Sequence, residues 1–309
     1  MKKYRIVILL VISMLLVACG NEVNEEDEQK LKVVSTFTII SDMAEQIGQD
    51  LVEVYNLVPT GTDPHEYEPM PNDIKAATDA DILFYNGMNL EGGEEGWFMK
   101  MVDSVNQNID NIYNLNVGVT PHYLMEGDSE EEINPHSFID PQVGIQMVEN
   151  MTEALIEKDP NNAQSYDDNA DDYLQRLNEV DQNYKDVIDN IPEENKILVT
   201  SEKAFQYMTD RYGLREASVW EIDTEELGTT AQLKALITLL KEDTPPYLFL
   251  ESNVDPKPLE QVSKETGVPI FEEYIYSDEI GKKGAEVDTY MKFLNHNIKI
   301  IEKGLNPEK

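Results

Sequence analysis

The sequence predicts an α/β protein made of two parallel-sheet lobes joined by one long helix. Three observations predict it. Short apolar runs alternate with helical patterns from Leu31 onward, which is the pattern of βαβ units. Between Asp159 and Ile191 the alternation stops. Apolar residues there recur every four and three positions, at Tyr166, Ala170, Tyr173, Leu177, Val180, Tyr184, Val187 and Ile191, on a single helical stripe. After Pro192 the alternation restarts. The expected organisation is a first lobe over 31–159, a connecting helix over 160–191 and a second lobe over 192–309. With 309 residues, 40% of them hydrophobic, the chain can fill two such cores.

In the first lobe, Leu31–Thr36 reads as a strand and Phe37–Ile47 as a helix. Leu51–Val58 alternates as a second strand and stops at Pro59. Pro71–Ala80 is a short helix with proline in its first turn. Asp81–Tyr85 is a buried strand closed by Asn86-Gly87. A helix over Gly96–Val105, a strand near Val117–Thr120, an acidic loop over Glu126–Glu132 and a helix over Pro141–Glu157 complete the lobe. Asp159 can cap the connecting helix, with Pro160 at its first position. At 1.5 Å per residue this helix is about 48 Å long. Its period also suits a coiled coil. Tyr and Ala in the stripe, and the lack of regular flanking charge pairs, argue against one. In the second lobe, Lys196–Thr200, Ala217–Ile222, Tyr247–Glu251 and Val268–Phe271 read as strands. The helices are Lys203–Tyr212, Thr230–Glu242 capped by Thr229 or Thr230, Pro258–Thr266 closed by Gly267, and Val287–Lys303.

The N-terminus is a processing signal. Lys2, Lys3 and Arg5 precede an apolar run from Ile6 to Val17 that is too short to span a bilayer core of about 30 Å. Residues 1–18 are therefore expected to be a signal peptide. It ends in Leu16-Val17-Ala18-Cys19-Gly20, which is similar to the bacterial lipobox, so Cys19 is the expected lipidation site. Cys19 is the only cysteine, so no intramolecular disulfide is possible. Residues 19–30 then form a lipidated cysteine and an acidic tether. The expected location is the extracytoplasmic face of the cell membrane. The chain carries 61 acidic and 24 basic residues, a net charge of -37. Such a field repels nucleic acid. Its simplest consequence is solubility, and it argues for no particular cation site.

Of four histidines, two have distinctive surroundings. His65 lies just past a predicted strand, in Asp63-Pro64-His65, with Pro69 beyond. His136 lies in Asn134-Pro135-His136, another proline-framed loop. Ligands of open parallel sheets bind beyond the carboxyl ends of strands, and stiff loops hold a ligating imidazole at little entropy cost. Spacing alone is weak evidence, and it favours plain loop histidines over ligands. His296 reads as a surface or packing residue, and His122 carries no argument. Glu202 and Asp278 also follow predicted strands, so each lobe offers two candidate ligands. Among 61 acidic residues, helix capping or solvation explains those two as simply.

Several motifs together are more specific. They are TDPHEYEP around His65, DILFYNG at Asp81–Gly87, NPHSFIDP around His136, EKDPNNAQSY at the start of the long helix, VTSEKAF around Glu202, EIDTEELGTT at Glu221–Thr230 and LFLESNV at Leu248–Val254. In this order they resemble the metal-binding lipoproteins of ATP-driven manganese and zinc importers, the cluster A-I substrate-binding proteins. The resemblance covers nearly the whole chain after the signal peptide. It implies a metal site between the two lobes, with His65, His136, Glu202 and Asp278 as ligands. It also implies an ABC importer permease and its ATPase as partners. The expected state is a monomer, and four protein ligands leave no open position for a reacting water, which argues for binding over catalysis. Two departures stand out. The usual Asp-Pro-His-Ala-Trp is here Asn134-Pro-His-Ser-Phe138, and Asn134 would orient the imidazole more weakly than Asp. Glu279 beside Asp278 is a possible substitute ligand.

Two imidazoles and two carboxylates neutralise a divalent ion, and hard oxygens with imidazole suit manganese. Zinc-delivering relatives commonly have histidine at the third ligand position and a His-rich loop. Here that position is Glu202, and only His122 lies between the first two ligands. The expected cargo is one divalent metal ion, with Mn(II) favoured and Zn(II) or Fe(II) possible. A zinc-specific protein of the same fold, or a surface adhesin with a vestigial site, is the alternative. The chain lacks GxxxxGK[ST], GxSxG and HExxH motifs.

Overall fold

A computed structural model describes residues 30–124, 132–221 and 229–307. The expected signal peptide, Cys19 and the tether up to residue 29 lie outside the described residues. So do residues 126–131 of the acidic loop and Ile222.

The first lobe is built on four parallel strands: β1 (Leu31–Ser35), β2 (Val52–Asn56), β3 (Ile82–Tyr85) and β4 (Ile112–Asn114). Their order is β2-β1-β3-β4. The chain therefore leaves β1 to one side and returns on the other, so the crevice opens past the strand ends. Helix α1 (Thr38–Gly48), α2 (Pro71–Asp79) and α3 (Trp97–Ser104) cover the sheet. The fourth strand is not where the apolar pattern put it. Asn114 Oδ1 accepts the Asn116 amide at 2.8 Å, an Asx turn that ends the strand before Val117. Gly118 then takes φ 85°. Residues Tyr123–Leu124 (β5) and Glu132–Ile133 (β6) form a small antiparallel pair that periodicity did not reveal.

Helix α4 (Pro141–Lys158) leads through a 3-10 turn at Pro160–Asn162 into α5 (Ala163–Asp189). The connecting helix is thus shorter than 160–191. Its stripe is buried as expected at Tyr166, Ala170, Tyr173, Leu177, Val180 and Tyr184. Near the end the burial passes from Val187 to Ile188, because a 3.6-residue turn drifts against a seven-residue repeat. Burying a large apolar side chain contributes about 1.5–3 kcal/mol, so this stripe is a principal source of stability.

The second lobe centres on β7 (Ile197–Glu202), parallel to β8 (Arg215–Trp220). Helices α6 (Gln206–Tyr212), α7 (Thr230–Glu242), α8 (Lys257–Thr266) and α9 (Tyr290–Leu305) complete it. Thr229 caps α7 in a capping box with Gln232. The expected strands over 247–251 and 268–271 are reduced to parallel bridges, Leu248 with Ile270 and Glu251 with Ile275. Their backbone still joins the ladder, since Phe249 N donates to Val199 O at 2.8 Å. Pro269 cannot donate, which limits regular pairing there. One continuous core runs from β1 and β3 through α1, α4, α5 and α9 to Leu198 and Phe249. Two smaller cores lie under the outer helices of each lobe. Among the described residues, no helix is long and apolar enough to cross a membrane.

Three glutamates are buried in this frame. Burial pushes Glu91 and Glu251 up to about 7 and Glu216 up to about 8. Their folded values lie above the unfolded ones. Their stabilising contribution is therefore complete below about pH 4 and is lost by the time pH has risen through 7 to 8, at about 1.4 kcal/mol per pH unit for each group still protonated in the fold but ionised in the unfolded chain. The melting temperature of the metal-free protein is expected to fall between about pH 4.5 and pH 8 and to level off above that. Glu91→Gln with Glu216→Gln should flatten that decline in calorimetry. A wild-type profile that is already flat would refute the assignment.

Candidate metal centre

Each candidate ligand sits at a strand end that the backbone immobilises. The His65 loop follows β2. Asp63 Oδ1 accepts the His65 amide at 2.7 Å, and Trp97 Nε1 donates to Pro64 O at 2.9 Å. Tyr67 lies edge-on to Trp97, and its hydroxyl donates to Asp73. Asp73 also accepts from Tyr55 Oη and from Met70 N, so one buried carboxylate anchors the far end of the loop.

The His136 loop follows β6. Asn86 Nδ2 donates to Pro135 O at 3.0 Å, and Ser137 Oγ to Asn116 Oδ1 at 2.8 Å. Tyr290 Oη, from α9, donates to Phe138 O at 2.6 Å. It crosses α4 at Gly144, where a Cβ would lie 2.1 Å from that hydroxyl, so no larger residue fits without displacing it. Buried glutamates serve both lobes alike. Glu91 accepts the amides of Asn86 and Gly87 beyond β3. Glu251 accepts those of Ser201 and Glu202 at the end of β7. Glu202 is thus the last residue of β7 rather than the first residue after it.

The structure brings all four predicted ligands together. His136 Nε2 lies 3.0 Å from Asp278 Oδ1 and 3.4 Å from Glu202 Oε1, and His65 Nε2 lies 3.7 Å from Asp278 Oδ1. Ligating atoms of His65, His136 and Glu202 fall within 4.8 Å of one another. His136 and Glu202 are fully buried and Asp278 nearly so. The other Asp278 oxygen, Oδ2, accepts from Asn253 Nδ2 and Ser277 Oγ, both at 2.7 Å. That leaves Oδ1 facing the imidazoles. Glu279 turns away: its carboxylate accepts the Gly61 amide. His122 pairs with Asp210 at 3.0 Å, and His296 bonds Tyr274 O, both outside the cluster.

The tautomer of His136 follows from its surroundings. Asn134 Nδ2 donates to the Lys203 carbonyl at 2.8 Å, and a carbonyl only accepts. Asn134 Oδ1 must therefore face His136, whose Nδ1 lies 2.9 Å away and donates to it. The Nε2 lone pair then points at carboxylate oxygens. His136 Nε2 and Asp278 Oδ1 form no hydrogen bond of normal geometry despite their approach. A cation between two acceptors this close would relieve their repulsion. Burial pushes the His136 imidazole below its usual range, against the pull of Asp278. Burial also pushes the Asp278 carboxyl up, but the His136 and His65 imidazoles outweigh it and hold Asp278 well below the usual range. Burial thus disfavours protonation of His136 and leaves its Nε2 lone pair available to a metal ion.

Sequence reasoning missed Glu251, Asn253, Glu91 and Asp73. Glu251 and Asn253 lie inside the LFLESNV motif, which was the available signal for them.

Two lobes that converge two imidazoles and two carboxylates define a substrate-binding protein for a metal cation. A family described as zinc-uptake complex component A, periplasmic, matches residues 33–304, and the chain belongs to it. The metal ABC transporter substrate-binding lipoprotein SsaB of Streptococcus sanguinis is 42% identical over 309 residues, 99% of each chain. The manganese ABC transporter substrate-binding lipoprotein PsaA of Streptococcus pneumoniae is 40% identical over 309 residues, again 99% of each chain. Among solved structures, the Mn-bound periplasmic metal binding protein from Candidatus Liberibacter asiaticus superposes with a TM-score of 0.78 at 27% identity. That match covers 90% of this chain and all of that one. The periplasmic zinc binding protein TroA from Treponema pallidum shares the fold, with a TM-score of 0.80 at 24% identity, covering 89% of this chain and 99% of that one.

Proposed function

We propose that the protein is an extracytoplasmic lipoprotein, anchored through Cys19, that captures one divalent metal ion on His65, His136, Glu202 and Asp278. It delivers the ion to the permease of an ABC importer driven by its ATPase. The observation that carries the reading is the approach of the His136 Nε2 lone pair to two carboxylates, 3.0 and 3.4 Å away. Manganese is the favoured cargo, because two of the four ligands are hard carboxylates and the third position is Glu202. The 40% identity to proteins named for manganese supports this choice, although the family's name refers to zinc. Zinc binds as well or better on intrinsic affinity, so preference for manganese lies in geometry and release. Four protein ligands leave no position for a reacting water, which supports carriage rather than catalysis.

Titrating Mn(II) into the metal-free protein should show about one equivalent per chain. At a thousandfold excess over Kd the fold should gain about 4 kcal/mol. Competition with Zn(II), and metal analysis of protein purified without added metal, separate the manganese reading from a zinc one. A fold whose stability ignores every divalent metal would refute both and favour a vestigial site.

A further inference from the structure

The loops that carry His65 and Asp278 come from opposite lobes, and three hydrogen bonds hold the Asp278 loop against the first lobe without using a ligand side chain, two of them to the His65 loop and one to Thr38 of α1. Gly61 N donates to the Glu279 carboxylate. Thr60 Oγ1 donates to Ile280 O at 3.1 Å, and Ile280 N donates to Thr38 Oγ1 at 3.1 Å. Two of the three use the backbone of Ile280. Glu279 makes the only one of the three with a charged acceptor, which is the stronger kind. A cavity of about 290 Å³ adjoins the metal cluster at this seam, lined by Asp63, His65, Asn253, Asp278, Glu279 and Gly61 among others. Glu279 therefore spans the mouth of the site from one loop to the other.

We infer that Glu279 is a positioning residue that latches the His65 loop onto the Asp278 loop and thereby sets how fast the metal leaves. An ion held by ligands from both lobes departs only when those loops part, so a bond across the seam adds to the barrier for release. Glutamate suits this place for a geometric reason. Its side chain is long enough to reach the Gly61 amide while its neighbour Asp278 faces inward. The inference rests on the proposed ligand set, with Asp278 rather than Glu279 in contact with the ion.

The test compares the wild-type protein, Glu279→Gln and Glu279→Ala. Each is loaded with Mn(II) and chased with excess chelator in a stopped-flow instrument. Glu279→Ala should release the ion about tenfold faster, the size expected for losing one charge-assisted hydrogen bond. Glu279→Gln keeps an acceptor oxygen and should stay within about threefold of wild type. Release from Glu279→Ala at the wild-type rate would overturn the latch. An equal acceleration in both variants would overturn it too, since it would mark the charge of Glu279 as a ligand to the ion. Amide exchange at Gly61 in the metal-free protein gives a second readout. It should quicken in Glu279→Ala, and unchanged protection would also refute the latch. A wild-type chain that takes up neither Mn(II) nor Zn(II) would refute the proposed function, whereas Gly61 exchange would still decide whether the bond joins the loops.

Discussion

Replacing His136 by alanine is expected to weaken Mn(II) binding by about a hundredfold to a thousandfold. Four ligands of a structural zinc site share about 10–16 kcal/mol of apparent binding energy, so one ligand carries about 3 kcal/mol. His136 should stand at the upper end of that range because it faces both carboxylates, at 3.0 and 3.4 Å, and is fully buried. Its loss leaves Asp278 and Glu202 facing each other with one imidazole instead of two. The measurement is competition with a calibrated chelator. Binding within about tenfold of wild type would refute the assignment of His136 as a ligand. The melting temperature without metal serves as the control. A Leu-sized void in a core costs several kcal/mol, and a folded variant is needed for the comparison. Metal-induced stabilisation should shrink with affinity, because it depends on ligand concentration relative to Kd.

Much of the fold was legible because its periodicities are long. The stripe from Tyr166 to Tyr184 repeats often enough to fix a helix and its buried face. Short elements were less legible. The strand expected near Val117 failed because an Asx turn at Asn114 competes with strand pairing, a contest that apolarity does not report. The Tyr247–Glu251 run was correctly apolar, yet it forms only bridges. The four converging residues could be nominated from loops and motifs, but not brought together. Glu202 and Asp278 lie 76 positions apart in sequence, and no local pattern brings their oxygens to one imidazole. The supporting groups were harder still. Glu91 looks like any other acidic residue in a chain that has 61, and only burial beside two backbone amides singles it out, whereas Glu251 at least lies inside the LFLESNV motif.

Asn134 is the residue whose reading the structure changes most. Sequence comparison with the usual Asp-Pro-His pattern treats it as a weaker partner for His136. In the structure it accepts from His136 Nδ1 at 2.9 Å and from the His136 amide at 3.1 Å, while donating to Lys203 O at 2.8 Å and Gln206 Oε1 at 3.1 Å. Lys203 and Gln206 follow β7, so Asn134 both fixes the imidazole and ties its loop to the lobe that supplies Glu202. An aspartate could make the first contact with more charge, but it has no proton for the second. Asn134→Ala is therefore expected to lower Mn(II) affinity by about 10–100-fold, the usual cost of losing a partner behind a metal ligand. Asn134→Asp should recover only part of that loss, because its second oxygen would face the Lys203 carbonyl without a hydrogen bond, a repulsive contact in a buried place. Isothermal titration of the three proteins tests the order wild type, then Asp, then Ala. An Asp variant that binds more tightly than wild type would show that charge on the imidazole outweighs the link between lobes. An Ala variant equal to wild type would show that His136 keeps its orientation through the Pro135 and Ser137 contacts alone.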